Sequence, residues 1–134
     1  MTEKEQAAAI LAALNASLQT GSPSATAYPY DKVPGAYGNA GNRPQRYVVV
    51  DITRKYEDKR RASGEVSTNG YRIGVRYVAK ATTDATNMRA LVTGVLEDQI
   101  LTTDAGEVGP FVFETSEAIL PDDGYQSGSD VFTF

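Results

Sequence analysis

The chain has 134 residues and a net charge of −4, with no cysteine and no histidine. Those two absences exclude disulfides, thiolate nucleophiles, Ser-His-Asp and Cys-His catalysis, and the usual zinc ligand sets, all of which need an imidazole or a thiolate. Carboxylates, Lys, Tyr, Ser and Thr remain for chemistry, in a length suited to one domain that buries roughly two thirds of its unfolded surface.

The start, Thr2-Glu3-Lys4-Glu5, is acidic and polar, and no run of 18 apolar residues occurs. Neither a secretory signal nor a membrane span is expected, so the chain reads as intracellular and the sequon Asn15-Ala16-Ser17 as unmodified. Thr2 and Glu5 have capping-box spacing, which satisfies two orphaned backbone donors at a helix start. Ile10, Leu11, Leu14 and Leu18 then recur at helical spacing, and Gly21-Ser22-Pro23 ends a helix expected over 3–19. Residues 20–45 are punctuated by Pro34-Gly35, Gly38-Asn39 and Gly41-Asn42 and read as one long irregular loop. Tyr28, Tyr30 and Tyr37 give it rigid aromatic contact area, for pinning the loop to its own core or for meeting another molecule.

A hairpin is expected over 46–80. Val48, Val50 and Ile52 share one face of its first strand; Tyr71, Ile73, Val75, Tyr77 and Ala79 share one face of its second, with Arg72, Gly74 and Arg76 opposite. The connection, with Ser63-Gly64 and Asn69-Gly70, is too long for a tight turn and reads as an arm. A second helix is expected over 84–102, capped by Thr83 with Asp84 in its first turn, and burying Met88, Leu91, Val92, Val95 and Leu96. Gly94 in its middle costs about 1 kcal/mol against Ala, so a close backbone approach is expected there. Two strands follow within 109–134: Phe111 to Thr115, and, after Pro121-Asp122-Asp123-Gly124, Tyr125 to Phe134, whose apolar end is expected to pair at a sheet edge. Together these predict a single α+β domain over 1–134: an antiparallel four-stranded sheet with two helices packed on one face, order α-β-β-α-β-β, with an extended loop after helix one.

Charge is partitioned along the chain. Residues 43–80 hold ten Lys/Arg against four Asp/Glu, and residues 81–134 one Arg against ten acids. A basic element on an acidic body suits nucleic acid, and complementary flanks suit head-to-tail docking. Arg54, Lys55, Lys59, Arg60 and Arg61 are the basic candidates for a subunit or partner interface; Glu114, Asp122 and Asp123 are the acidic ones. Tyr56 is the sole aromatic among those bases, which supports a single-strand stacking platform poorly and leaves duplex backbone contact open.

Other chemistry fails on context. Asp51 with Glu57, Asp58 and Lys59 has the residue order of some metal nucleases, but its second half is a mixed-charge turn-like run. Asp122-Asp123-Gly124 has the composition of a plain turn as much as of an acid pair. Gly35, Gly38 and Gly41 lack the leading strand and following helix of a phosphate cradle. No catalytic residue, metal or cofactor is assigned.

Several stretches resemble one family. Tyr47 to Arg54, Ser63 to Arg72, Asn87-Met88-Arg89 to Leu96-Glu97, and above all Gly109-Pro110-Phe111 through Pro121-Asp122-Asp123-Gly124-Tyr125-Gln126-Ser127-Gly128 look like tail terminator proteins of long-tailed (siphovirus) bacteriophages, of the kind found in phages of actinobacteria. The similarity runs from about Tyr28 to Phe134. It implies a virion protein assembled in the host cytoplasm: a homohexameric ring at the head-proximal end of the tail tube that halts tube growth and docks the head. Its implied partners are its own copies, the tail tube protein and a head-completion or neck protein. Genomic DNA passes through without specific binding, and no membrane is involved. The alternatives are a sibling neck or head-completion connector, and a nucleic-acid-binding module that uses the basic hairpin.

Overall fold

The computed structural model describes residues 2–54 and 70–134. The chain opens with helix α1, Glu3–Leu18, whose capping box forms as the spacing predicts: Thr2 N donates to Glu5 Oε2 at 2.9 Å and Glu5 N to Thr2 Oγ1 at 3.2 Å. Ile10, Leu14 and Leu18 are its buried stripe.

The four-stranded antiparallel sheet is not what forms. The main sheet has five strands in the order β1-β2-β3-β7-β6 and is mixed, because β1 (Thr26–Pro29) runs parallel to β2 (Arg46–Arg54). β3 (Tyr71–Ala79), β7 (Tyr125–Thr133) and β6 (Val112–Asp122) continue it antiparallel. A second, two-stranded sheet pairs β4 (Leu101–Thr103) with β5 (Gly106–Val108). The α+β class, the two helices and the antiparallel pairing of β2 with β3 stand; the strand number, the all-antiparallel sheet and the order do not.

Each departure has a local cause. β1 lies inside the predicted loop, and a four-residue strand flanked by prolines carries no readable alternation. A parallel pair needs a crossover of a dozen or more residues, and residues 30–45 supply it, beginning with a 3-10 turn at Tyr30–Lys32. The outward backbone of β1 is closed by Asn15 of α1, whose amide donates to Ala27 O at 3.2 Å and accepts from Ala27 N at 2.7 Å.

Helix α2 spans Thr82–Leu96, six residues short of the predicted end. Its cap position is Ala81, which makes no side-chain cap bond, not Thr83. Beyond Leu96 the chain is captured by buried Phe111: Asp98 N donates to Phe111 O at 2.8 Å and Phe111 N to Gln99 O at 3.2 Å. Those bonds draw Glu97 and Asp98 out of helical geometry, and Leu101–Thr103 pairs as β4 instead. α2 buries Ala85, Met88, Val92 and Leu96, whereas Leu91 points outward at 36% exposure. Among the described residues nothing lies within 4 Å of a Cβ built on Gly94, so none of them makes the close approach expected there.

Both helices cover one face of the main sheet. Their stripes pack on Val48, Val50, Ile73, Val75, Tyr77, Ala79, Phe132 and Phe134, the alternation read from the sequence for β2 and β3. Each large side chain so buried contributes about 1.5–3 kcal/mol. The C-terminal strand is interior, not at an edge: β7 lies between β3 and β6, and Phe134 exchanges backbone bonds with Tyr71 and stacks on its ring at 5.5 Å. Gly128 permits this packing, since a Cβ there would sit 2.8 Å from Ile119. Asp123 and Gly124, with φ of 50° and 82°, form the two-residue turn joining β6 to β7, the positive pair that a type I′ hairpin requires.

Candidate functional site

The face of the main sheet away from the helices is only partly covered. Strand alternation places Val49, Asp51 and Thr53 of β2, Arg72, Gly74 and Arg76 of β3, and Ser127, Ser129, Val131 and Thr133 of β7 on it. At one end the 30–45 crossover folds over this face, where Val33, Tyr47, Val49, Val78 and Tyr125 form a second small core against Tyr28 and Ala36. Of the three loop tyrosines, Tyr28 therefore pins the loop. Tyr30 and Tyr37 point outward at 56% and 60% exposure, edge to face with ring centroids 6.4 Å apart.

Those two rings overhang a cleft of about 280 Å³ whose floor includes Gly74 and whose far side is Arg76, Ser129 and Val131. A second depression, of about 430 Å³, continues from Arg76 past Glu117 to Leu120 and Pro121. On β6, Leu120 stands opposite Ser127 and Val112 opposite Thr133, so both side chains border the same face, 60% and 45% exposed. The result is a trough walled by Tyr30 and Tyr37 on one side and by Val112 and Leu120 on the other. Three strand spacings separate β2 from β6, about 14 Å.

Of the predicted interface residues that the structure describes, Arg54 lies at one end of the sheet and Asp122 and Asp123 at the other. Arg54 ends β2 opposite Tyr71, at the end of the sheet where Val112 pairs with Thr133. Asp122 and Asp123 lie at the other end, beside the row that joins Arg46 to Ala79 and Ala79 to Gln126. Eight residue steps along β2 separate the two ends, about 26 Å. Lys55, Lys59, Arg60 and Arg61 lie outside the described residues, as do Glu57 and Asp58 of the nuclease reading and the turn signals of the predicted arm up to Asn69.

Much of the charge partition is consumed inside the fold. Arg72 meets Glu114 bidentately, Nε to Oε2 at 2.8 Å and Nη2 to Oε1 at 2.9 Å, which raises the guanidinium pKa further. Arg76 Nη1 donates to Ser127 Oγ at 2.8 Å, and its Nη2 lies 3.5 Å from Glu117 Oε2. Arg46 and Asp84 approach to 3.9 Å. Arg46 of β2 and Arg72 and Arg76 of β3 are thus paired with acids of the second half, whereas Arg54 has no such pair among the described residues. By contrast, Arg43 and Lys80 have no carboxylate within salt-bridge reach among the described residues. Both stand on the ring of Tyr125, at 3.8 and 4.1 Å from its centroid.

On the helix side, a polar cluster that the sequence reading overlooked surrounds Asp130, which is 3% exposed. Tyr77 donates its hydroxyl to Oδ2 at 2.9 Å and Ser116 donates to Oδ1 at 2.5 Å. Arg89 Nε lies 3.4 Å from Oδ2, an ion pair without hydrogen-bond geometry, while its Nη2 donates to Glu117 O at 2.6 Å. Burial, then the charge of Asp130 and its hydrogen bond, push the Tyr77 phenol far above its ordinary pKa. Burial also raises Tyr47, against the pull of Arg43. The signal was present: Asp130 is in phase with Phe132 and Phe134, so it had to face the core and be satisfied there. Asp130 and Tyr77 are buried while Ser116 and part of Arg89 reach the surface, and the cluster locks α2 to β3, β6 and β7. Among the described residues no group of three or more acidic side chains is placed to hold a metal ion.

A scan against models of known protein families finds no match, and a search of curated proteins finds no similar sequence.

Proposed function

We propose that this chain is a structural, ring-forming subunit: a phage tail terminator that assembles as a hexamer, caps the tail tube and docks it to the head. The observation that carries the assembly reading is the uncovered sheet face, where Tyr30, Tyr37, Val112 and Leu120 stand exposed around a floor of small and polar side chains. Exposed apolar side chains on both borders of an open sheet face suit an interaction surface. The resemblance from Tyr28 to Phe134 supports the identity of the assembly, with the tube protein and a head-completion protein as further partners and the genome passing through the ring. Structural work of this sort asks for no catalytic group.

Mass photometry at micromolar concentration is expected to show hexamers, or monomers that become rings when tail tubes are added. A chain that stays monomeric with the tube protein present refutes the reading. Retardation of DNA at low salt, lost as salt rises, would favour the nucleic-acid module instead. Cryo-electron microscopy that places the chain at the portal, and not at the tube end, would assign it to the neck.

A further inference from the structure

The main sheet has two edges of different character. β1 is four residues long, and Asn15 closes its outer side. β6 is eleven residues long, and among the described residues no segment pairs with its outer side. An open edge strand presents unpaired backbone donors and acceptors, and folds commonly blunt such an edge with Lys or Pro. Between Val112 and Leu120 β6 has neither; Pro121, which lacks the N–H, ends the open run.

That run has mirror character about Ser116. Val112 mirrors Leu120, Phe113 mirrors Ile119, Glu114 mirrors Ala118 and Thr115 mirrors Glu117. The fold keeps the symmetry. Val112 and Leu120 border the open face, where Thr115 and Glu117 also stand, opposite Val131 and Ser129. Phe113 meets Phe132 edge to face and Ile119 packs on the main core, so both lie on the helix side, as does Ser116 on Asp130. The two register shifts of β6 are mirrored as well: one extra residue is taken up between Phe113 and Thr115, and another between Glu117 and Leu120. Ile119 sits against Gly128, which leaves Ala118 as the second extra residue, the mirror of Glu114. Bulges deter pairing with a regular strand, but two copies of β6 carry them at matching places.

Backbone phase agrees. Phe134 exchanges its hydrogen bonds with Tyr71 of β3, so the even-numbered residues of β7 bond β3 and the odd-numbered ones bond β6. Val131 and Ser129 therefore hold Thr115 and Glu117, and Ser116 between them turns its N–H and C=O outward.

We infer that β6 pairs antiparallel with β6 of a second copy, Ser116 opposite Ser116 about a two-fold axis. Each residue then meets its mirror on the same face of the sheet. Val112 meets Leu120 and Phe113 meets Ile119, apolar pairs at both ends, while the backbones bond each other at the centre. Glu114 meets Ala118 and Glu117 meets Thr115, so no acid stands directly opposite an acid. The two Glu117 side chains are diagonal neighbours, and each is turned back to Arg76 and Ser129 of its own chain. Nine residues a side, Val112 to Leu120, is well under the roughly 20–30 of a standard interface. Single chains therefore prevail at micromolar concentration, and pairs form toward the millimolar range. The pair is independent of the ring: a two-fold contact uses one patch on both copies and does not propagate around a six-fold axis, so it belongs to the free chain.

The absence of cysteine allows a direct test. Val112→Cys and Leu120→Cys chains, mixed at near-millimolar concentration and treated with a short bis-maleimide, are expected to give the mixed dimer. Neither variant alone is expected to cross-link, since eight residue steps, about 26 Å, separate its two thiols in the pair. In sedimentation equilibrium, Thr115→Glu, which sets like charges opposite each other at two places, is expected to weaken pairing about tenfold, and Thr115→Lys to strengthen it about tenfold. Val112→Cys chains that cross-link with one another as readily as with Leu120→Cys chains, no dimer of the wild type toward the millimolar range, or equal association of the two Thr115 variants each overturn the pairing. None of these outcomes bears on the ring, which assembly on tail tubes tests separately.

Discussion

Replacing Asp130 by Ala removes the one carboxylate at the centre of the buried cluster and isolates what it holds together. The Tyr77 hydroxyl, in a fully buried side chain, loses its acceptor, which costs about 1–3 kcal/mol. Arg89 loses its ion-pair partner, but its side chain is 24% exposed and keeps the Glu117 carbonyl at 2.6 Å. Its share is therefore about 1 kcal/mol, well below that of a fully buried pair. Ser116 lies on an exposed strand and turns to water. The total, about 2–4 kcal/mol, is a large part of the 5–15 kcal/mol that typically holds a domain. With a urea m-value of about 2 kcal/mol/M, the unfolding midpoint falls by about 1–2 M. The cycle is closed with a Tyr77→Phe/Arg89→Met/Asp130→Leu triple variant, which removes the buried carboxylate together with its phenol and guanidinium partners and is expected to recover most of the loss. A fall of less than about 0.5 kcal/mol in Asp130→Ala, or a triple variant as weak as the sum of its parts, refutes the assignment of this cluster as a lock.

Alkaline pH tests the same cluster from the other side. The Tyr77 phenol is held above its ordinary value of 10.0, so above pH 10 the unfolded chain sheds a proton that the folded chain keeps. Stability is unaffected below that pH and falls above it, by at most about 1.4 kcal/mol per pH unit for this phenol. Urea midpoints from pH 8 to 11 should decline less steeply in Tyr77→Phe than in wild type; equal slopes exclude the effect. Asn15→Ala strips both hydrogen bonds from Ala27 and is expected to cost about 1–2 kcal/mol, with the Ala27 amide losing its protection from hydrogen exchange. Unchanged exchange there would show that the β1 edge is closed by something other than Asn15.

Local signals were legible wherever the interaction lies within a few residues or follows a strict period. The Thr2–Glu5 capping box, the stripe Ile10–Leu14–Leu18, the two-face alternation of β2 and β3 and the Asp123-Gly124 turn all follow from neighbours in sequence. The absence of imidazole and thiol chemistry follows from composition. The candidate interface was legible only in part. Tyr30 and Tyr37, read as aromatic contact area, do stand exposed, whereas among the described charged candidates Arg54 lies at one end of the sheet and Asp122 and Asp123 at the other.

Tertiary structure decided the rest, because it depends on groups far apart in the chain competing for the same partners. Phe111 took the backbone that would have extended α2, and Asn15 made a strand edge of a segment whose own composition says loop. The linear separation of positive and negative residues looked like two complementary flanks, yet strand order set Arg72 and Arg76 within reach of Glu114 and Glu117 and spent that complementarity inside the fold. Sequence by itself determined which residues prefer which backbone and which side of an element is apolar. Only the folded sheet decided which face stayed open, since coverage is a property of how distant segments stack and no run of neighbouring residues encodes it.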